Sequence, residues 1–327
     1  MTDERFFVTG ASGCIGAWVV RNLVKEGVPT TVLDRGSSRH RLELILTDQE
    51  IARVRFISGD VSDLSSVERA VRESGATRII HLAAMQVPFC KVDPALGARV
   101  NVAGTVHIFE AAKRARIRQV VYASSAAVYG AKEDYPEGIL RHDAPLKPRT
   151  HYGVYKQANE GTARVYWMDD RIASIGLRPY VVYGPGRDRG MTSTPTMAML
   201  AAAAGRSYRI SFGGRFDFQY VDDVAKIFIL AARTPFEGAD AFNLAQASVD
   251  VPAIIAAIEA AEPSRRGTII FDDVPLPFPE GFDNSVLGSV LGKLPETPLI
   301  QGVRETLSVF KQTLSEGRIP AETLKEL

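Results

Sequence analysis

The sequence is short of several things, and each shortage closes off a class of protein. It has two cysteines, Cys14 and Cys90, too few for a disulfide framework. Neither lies in a Cys-x-x-Cys pair, and the five histidines (His40, His81, His107, His142 and His151) are scattered, so no metal centre can be read. Charge of either sign is not in excess. Lys and Arg total 39 against 38 for Asp and Glu, a formal net charge of +1, which offers no nucleic-acid footprint and no pull toward anionic lipid. No apolar run reaches the ~18 residues of a membrane helix; the longest candidate is Met197 to Ala204. The opening Met1-Thr2-Asp3-Glu4-Arg5 is charged and runs straight into Phe6-Phe7-Val8, so no signal peptide is expected. These shortages predict a soluble, reduced, cytoplasmic protein and leave its chemistry open.

What is present reads as alternating strands and helices. The 327 residues, 46% apolar and 24% charged, allow two lobes or one large α/β unit at roughly 100–200 residues per domain. Strands are expected at Phe6–Thr9, Thr30–Leu33, Arg53–Ile57, Arg78–Leu82, Val120–Ala123 and Ile172–Leu177, with helices between them. The helices read at Cys14–Glu26, from the Asp63 cap to Glu73, and over Pro94–Arg116. Strands separated by helices imply parallel pairing with right-handed crossovers. The fold class is a doubly wound parallel α/β sheet of the Rossmann kind. An eight-fold barrel needs a longer regular pattern, and this one degrades after Tyr183. There, Gly184-Pro185-Gly186 breaks the chain, and Pro275, Pro277 and Pro279 forbid regular structure later. The expected division is 1–183 plus 217–244 for the nucleotide-binding sheet. A smaller, discontinuous substrate lobe takes 184–216 plus 245–327.

Gly10, Gly13 and Gly16 lie between strand one and the first helix. There they let the backbone turn sharply, approach a pyrophosphate and present the helix N-terminus to it. Asp34 ends strand two, where a carboxylate accepts hydrogen bonds from an adenosine ribose and repels a 2′-phosphate. NAD is therefore favoured over NADP, although Arg35 and Arg39 stand close enough to neutralise a phosphate.

Tyr152 and Lys156 stand four residues apart on one helix face. An ammonium near a phenol is expected to lower the phenol's pKa and make it a general base. Ser124 and Ser125 sit at the C-terminal end of strand five, the edge at which such sheets hold ligands. Taken alone, the Tyr–Lys spacing is common on solvated helix faces. Joined to the glycine turn and a strand-five serine, Ser124 or Ser125, it marks Tyr152 and Lys156 as catalytic candidates.

These residues, with Gly59-Asp60-Val61, His81-Leu82-Ala83-Ala84, Asn101-Val102-Ala103-Gly104-Thr105, Leu177 to Gly186 and Tyr220-Val221-Asp222-Asp223, carry a resemblance. The chain resembles an extended short-chain dehydrogenase/reductase of the NAD-dependent epimerase/dehydratase family, over nearly its whole length. The resemblance implies Tyr152 as general acid/base, Lys156 on the nicotinamide ribose, Ser125 on the substrate oxygen and Ser124 beside the cofactor. It implies Asp60 and Val61 at the adenine, with Leu82, Ala83 and Ala84 along the phosphates and ribose. Asn101, Ser12, Cys14 and Ile15 complete the expected cofactor set. Homodimers through the helices after Pro94 and Tyr152 are implied as well.

The chain also departs from the family pattern. Dehydratases carry an Asp-Glu pair where this sequence has Ala126 and Ala127, and alanine transfers no proton. Nucleotide-sugar epimerases place an Asn, an Arg and a later Arg against the nucleotide diphosphate. Here Val181 and Phe216 hold the first two positions, and no arginine lies between Gly267 and Gly302. Each missing charge-assisted bond is worth about 1.5–3 kcal/mol. The reading is therefore hydride transfer at a carbinol carbon of a small sugar or sugar acid, with an anionic, non-nucleotide substrate expected. Epimerisation comes first, net dehydrogenation or reduction second, and a non-catalytic NAD sensor third. Met85, Ser125, Ala126, Tyr152, Arg187 and Arg215 are the expected substrate contacts. Lys132 to Arg149 is expected as a mobile loop over the site, and Tyr155 as a residue narrowing the pocket.

Overall fold

Short β-branched and apolar runs bounded by glycine or polar turns become the strands, and apolar residues at helical spacing become the covering helices. The computed structural model describes residues 4–36, 38–135, 138–325 and 327. The first three residues of the opening segment, and Pro136 and Glu137 of the expected loop, lie outside the described residues.

The chain begins with β1 (Phe6–Thr9), α1 (Cys14–Lys25), β2 (Thr30–Asp34), α2 (His40–Glu43), α3 (Asp48–Ile51) and β3 (Arg55–Ser58). It continues with α4 (Leu64–Ser74), β4 (Arg78–His81), α5 (Val87–Val92), α6 (Pro94–Ala98), α7 (Gly104–Ala115) and β5 (Gln119–Ala123). Next come β6 (Ile139–Leu140), α8 (His151–Asp170), β7 (Ala173–Arg178), β8 (Val181–Tyr183), α9 (Thr194–Ala203), β9 (Tyr208–Ile210) and β10 (Arg215–Tyr220). The last part holds α10 (Val221–Arg233), β11 (Ala239–Asn243), β12 (Ser248–Asp250), α11 (Val251–Ala261), β13 (Ile269–Phe271), β14 (Gly281–Phe282), α12 (Ser285–Leu291), α13 (Leu299–Ser315) and α14 (Ala321–Lys325).

Seven strands form one parallel sheet in the order β11-β7-β5-β4-β1-β2-β3. This is the doubly wound sheet expected. The order reverses at β1, so its C-terminal end faces a crevice. Phe7, Val8, Ile79, Ile80, Val120 and Val121 are buried in the strands, as a sheet covered on both faces requires. Each of the six strands expected from sequence is present within two residues at either end. The long helix expected over Pro94–Arg116 is interrupted, because Arg99–Ala103 forms a π-helical turn.

After Arg178 the chain leaves the main sheet, and it returns with β11, which pairs with β7 in register Asn243 to Arg178. A small second sheet joins β8, β10 and β12. Val181 and Phe216, at positions where a nucleotide contact was sought, are wholly buried in the main core. Phe216 packs edge-on against Phe212.

Candidate active site

Three loops meet at the C-terminal edge of the sheet: those after β1, β4 and β5. After Thr9 the backbone takes a positive φ at Gly10. A Cβ on Gly16 would lie 2.2 Å from the Gly10 carbonyl oxygen, so α1 must carry glycine where it crosses the turn. Gly13 precedes α1 without a side-chain cap, and the first turn holds no acidic residue. Its N–H groups are free to meet an anion, so the turn fits the pyrophosphate of NAD.

Asp34 closes β2, and its Oδ2 accepts hydrogen bonds from the Ser12 N–H at 3.0 Å and from the Ser12 hydroxyl. Arg35 stands 3.6 Å from Asp60, while Arg39 stacks on Phe56 at 3.9 Å. Ser12, Asp34, Arg35, Asp60, Val61 and Ala83 line a hollow of about 380 Å³. A second, of about 240 Å³, is lined by Cys14, Ile15, Gly16, Ser124, Ser125, Ala126, Tyr152, Lys156 and Arg187. Gly10, Gly13, Leu82, Ala84 and Gln86 border both. The two hollows thus wrap one turn, as a dinucleotide does.

At the end of β5, the Ser125 hydroxyl accepts from the Ala127 N–H at 3.1 Å and caps a short turn. Thr150 caps α8 by accepting from the Gly153 N–H at 3.0 Å. A Cβ on Gly153 would stand 2.1 Å from the Ala127 carbonyl oxygen. That close approach seats Tyr152 against Ser125, whose hydroxyl opposes the rise in the phenol's pKa. One turn on, Lys156 Nζ donates to the Ala123 carbonyl at 2.6 Å and lies 5.6 Å from the Tyr152 ring centroid.

The electrostatics differ from the expectation. Burial pushes the Tyr152 phenol above its ordinary value, and the opposing pulls come from the Ser125 hydrogen bond and the Arg187 charge. Lys156 is turned to the Ala123 carbonyl rather than to the phenol oxygen. It is itself lowered to about 8, chiefly by burial. Beneath the site, Ser124 Oγ donates to Glu160 at 2.6 Å, and Glu160 pairs with Arg178 at 2.7 Å. Arg178 continues to the Tyr129 hydroxyl at 2.7 Å. This pairing was missed; Glu160 lies one turn past Lys156, but nothing local marks Arg178 as its partner.

Other expected residues fall elsewhere. Asn101 is buried behind the β4 loop, donating to the Met85 carbonyl and accepting from its N–H at 2.7 Å. Met85 lines the hollow that contains Asp34 and not the one that contains Tyr152. Arg215 is exposed at the start of β10, donating to the Ser248 carbonyl, and borders neither hollow. Tyr155 turns away to donate to the Pro94 carbonyl. The described part of Lys132 to Arg149 is tied down away from the cleft. Tyr135 Oη bonds Pro145, Lys147 N–H bonds Val128, and β6 pairs with β14. His81 is a strand-end residue between Thr9 and Thr105, as expected; burial holds its pKa down at about 3. Burial pushes the Cys14 thiol up to about 12, which keeps it protonated.

A parallel sheet with a glycine turn beside a Ser–Tyr–Lys cluster defines an extended short-chain dehydrogenase/reductase. The chain belongs to the NAD-dependent epimerase/dehydratase family, whose model matches residues 6–245. Among its relatives is the UDP-glucose 4-epimerase of Mycolicibacterium smegmatis, 31% identical and matched over 94% of this chain and 98% of that one. The Thermus thermophilus UDP-glucose 4-epimerase, solved as a complex with NAD, superposes with a TM-score of 0.79 at 25% identity. That match covers 94% of this chain and 99% of that one. The L-threonine dehydrogenase of Clostridium difficile shares the fold with a TM-score of 0.83 at 20% identity, covering 95% and 98% of the two chains.

Proposed function

We propose that the protein uses NAD to move hydride at a carbinol carbon of a sugar or sugar acid, as an epimerase. The observation that carries this reading is that Ser125, Tyr152 and Lys156 line one hollow together, next to the hollow that contains Asp34. Ser125 donates to the substrate oxygen, and Tyr152, once ionised, takes the hydroxyl proton as the carbon–hydrogen bond breaks. NAD, when bound, supplies the electron-pair acceptor and a positive ring that favours the phenolate. Lys156 holds the nicotinamide ribose and adds its charge. In epimerisation the ketone turns and is reduced on its other face, with Tyr152 returning the proton.

Gly10, Ser12, Gly13, Asp34, Asp60 and Ala83 would hold the adenosine and pyrophosphate, and the Asp34 carboxylate is the basis for NAD over NADP. Ala126 and Ala127 carry no proton, so the proposal leaves out 4,6-elimination. The two-lobe division is kept in outline, although β8 and β10, which lie at the expected limits of 184 and 217, pair with each other in the second sheet. Val154, Val165 and Met168, exposed on α8, support a homodimer through that helix.

Net dehydrogenation is the second reading. A ketone that turns in place needs an anchor outside the reacting ring. Arg206, Arg209 and Arg215 are occupied with Leu324, Asp272 and Ser248, so they provide none for a diphosphate. Product analysis separates the two readings: isomer without NADH marks the epimerase, and NADH formed mole for mole with ketone marks the dehydrogenase. In either case Tyr152→Phe is expected to lower kcat by about 10²–10⁴ with NADH affinity preserved. Full activity in that variant would sink the assignment.

A further inference from the structure

The hollow that holds Tyr152 contains polar groups that the hydride-transfer chemistry does not use. Arg187 lies in the loop after β8, and its Nη2 donates to the Thr192 hydroxyl at 2.9 Å. Its Nε is buried and has no hydrogen-bond partner. The Gln86 Oε1, from the loop after β4, is likewise buried and unpartnered. The two side chains come together beside Gly190. A Cβ on Gly190 would lie 2.8 Å from Gln86 Oε1 and 3.3 Å from Arg187 Nη2. Both side chains line the hollow together with Ser125 and Tyr152.

An orphaned buried donor and acceptor are costly unless a ligand completes them. The donor belongs to a guanidinium, which suits a planar carboxylate. The acceptor is an amide oxygen, which suits a hydroxyl. From this we infer that the substrate is a small hydroxy acid without a nucleotide: Arg187 holds its carboxylate, and Gln86 accepts from the hydroxyl on the next carbon. This rests on the proposed hydride-transfer reading, because it places the adjoining carbinol carbon at Ser125 and Tyr152. The rest of the lobe agrees. Arg178 is paired with Glu160, and Arg206, Arg209 and Arg215 are bonded elsewhere in the fold. Of the arginines from 178 to 215, Arg187 alone lines the Tyr152 hollow. A UDP diphosphate would meet a single guanidinium there, that of Arg187.

The test is calorimetric titration of the full-length protein, saturated with NADH, with D-galactonate, D-gluconate, 2-deoxy-D-gluconate, D-galactose and UDP-glucose. The inference expects one or both hydroxy acids to bind at least tenfold tighter than galactose and UDP-glucose. Arg187→Ala should weaken that binding at least tenfold while leaving NADH affinity unchanged. Gln86→Leu should abolish the preference for gluconate over its 2-deoxy analogue, with carboxylate binding retained. Tighter binding of UDP-glucose, no binding of either acid, or acid binding indifferent to Arg187→Ala each overturns the inference. The underlying function is scored separately, by Tyr152-dependent turnover of whichever compound binds. UDP-glucose turned over through Tyr152 would leave hydride transfer standing and remove the hydroxy-acid assignment. Acids bound through Arg187 but never oxidised would remove the hydride-transfer reading instead.

Discussion

Lys156 is the group in the cleft whose charge changes nearest to neutrality, and that gives the site a pH signature. Burial lowers it to about 8, so the ammonium is present below that value and lost above it. If it holds the nicotinamide ribose, NADH affinity should be flat to about pH 8 and then fall, by up to about tenfold per pH unit. A fluorescence titration from pH 6 to 10 measures this. Lys156→Arg, whose guanidinium stays charged, should flatten the upper limb even if turnover drops. An affinity unchanged to pH 10 in the wild type would remove Lys156 from the cofactor site. Tyr152 and Lys156 were legible from their spacing. That the phenol's own value is raised was not, because it depends on how deeply α8 is pressed onto the β5 turn at Gly153.

Among the elements, the junction of β10 with β14 stores an unfavourable charge. Asp217 is buried, and its Oδ2 accepts from the Phe282 N–H, at 2.9 Å. Burial pushes its carboxyl up to about 7, with that N–H pulling partly against the rise. The unfolded chain gives up this proton near 3.8, whereas the folded chain keeps it until about 7. Stability contributed by the protonated form is therefore full below 3.8, declines as pH rises, and is gone above 7. Asp217→Asn keeps an acceptor for Phe282 without the charge. It should gain on the order of 2 kcal/mol at pH 8, about 3 °C in Tm for a chain of this length, with the gain shrinking toward pH 4. Equal gains at both pH values would refute this account. The strand junction itself was invisible in the sequence. Gly281–Phe282 pairs with Ile139–Leu140 across more than a hundred residues, and two-residue strands leave no alternation to read. The sheet strands were legible because burial on both faces writes itself as local apolar runs.

On the scale of the whole molecule, the glycine turn after β1 is fastened to the loop after β8. Arg41 donates to the Ser12 carbonyl and to both oxygens of Asp188, while His40 meets Asp188 at 3.2 Å. Nothing in the sequence joins positions 41 and 188; only the fold does. The same dependence governs the sheet. The partner of β7 on its outer side is β11, and α1 on the sheet's flank is packed by α10. Both arrive only after the chain has gone out to begin the lobe. A ribosome adding roughly 5–20 residues per second therefore leaves Ala173–Arg178 unpaired on one side for several seconds after it emerges. In that interval the nascent chain carries an open, wholly buried-type strand, which is a template for association with other chains. A chain ended after Gly238 should make that state permanent, giving aggregates in size-exclusion chromatography where the intact protein gives a discrete peak. A well-behaved truncated species would show that the sheet closes without its last strand.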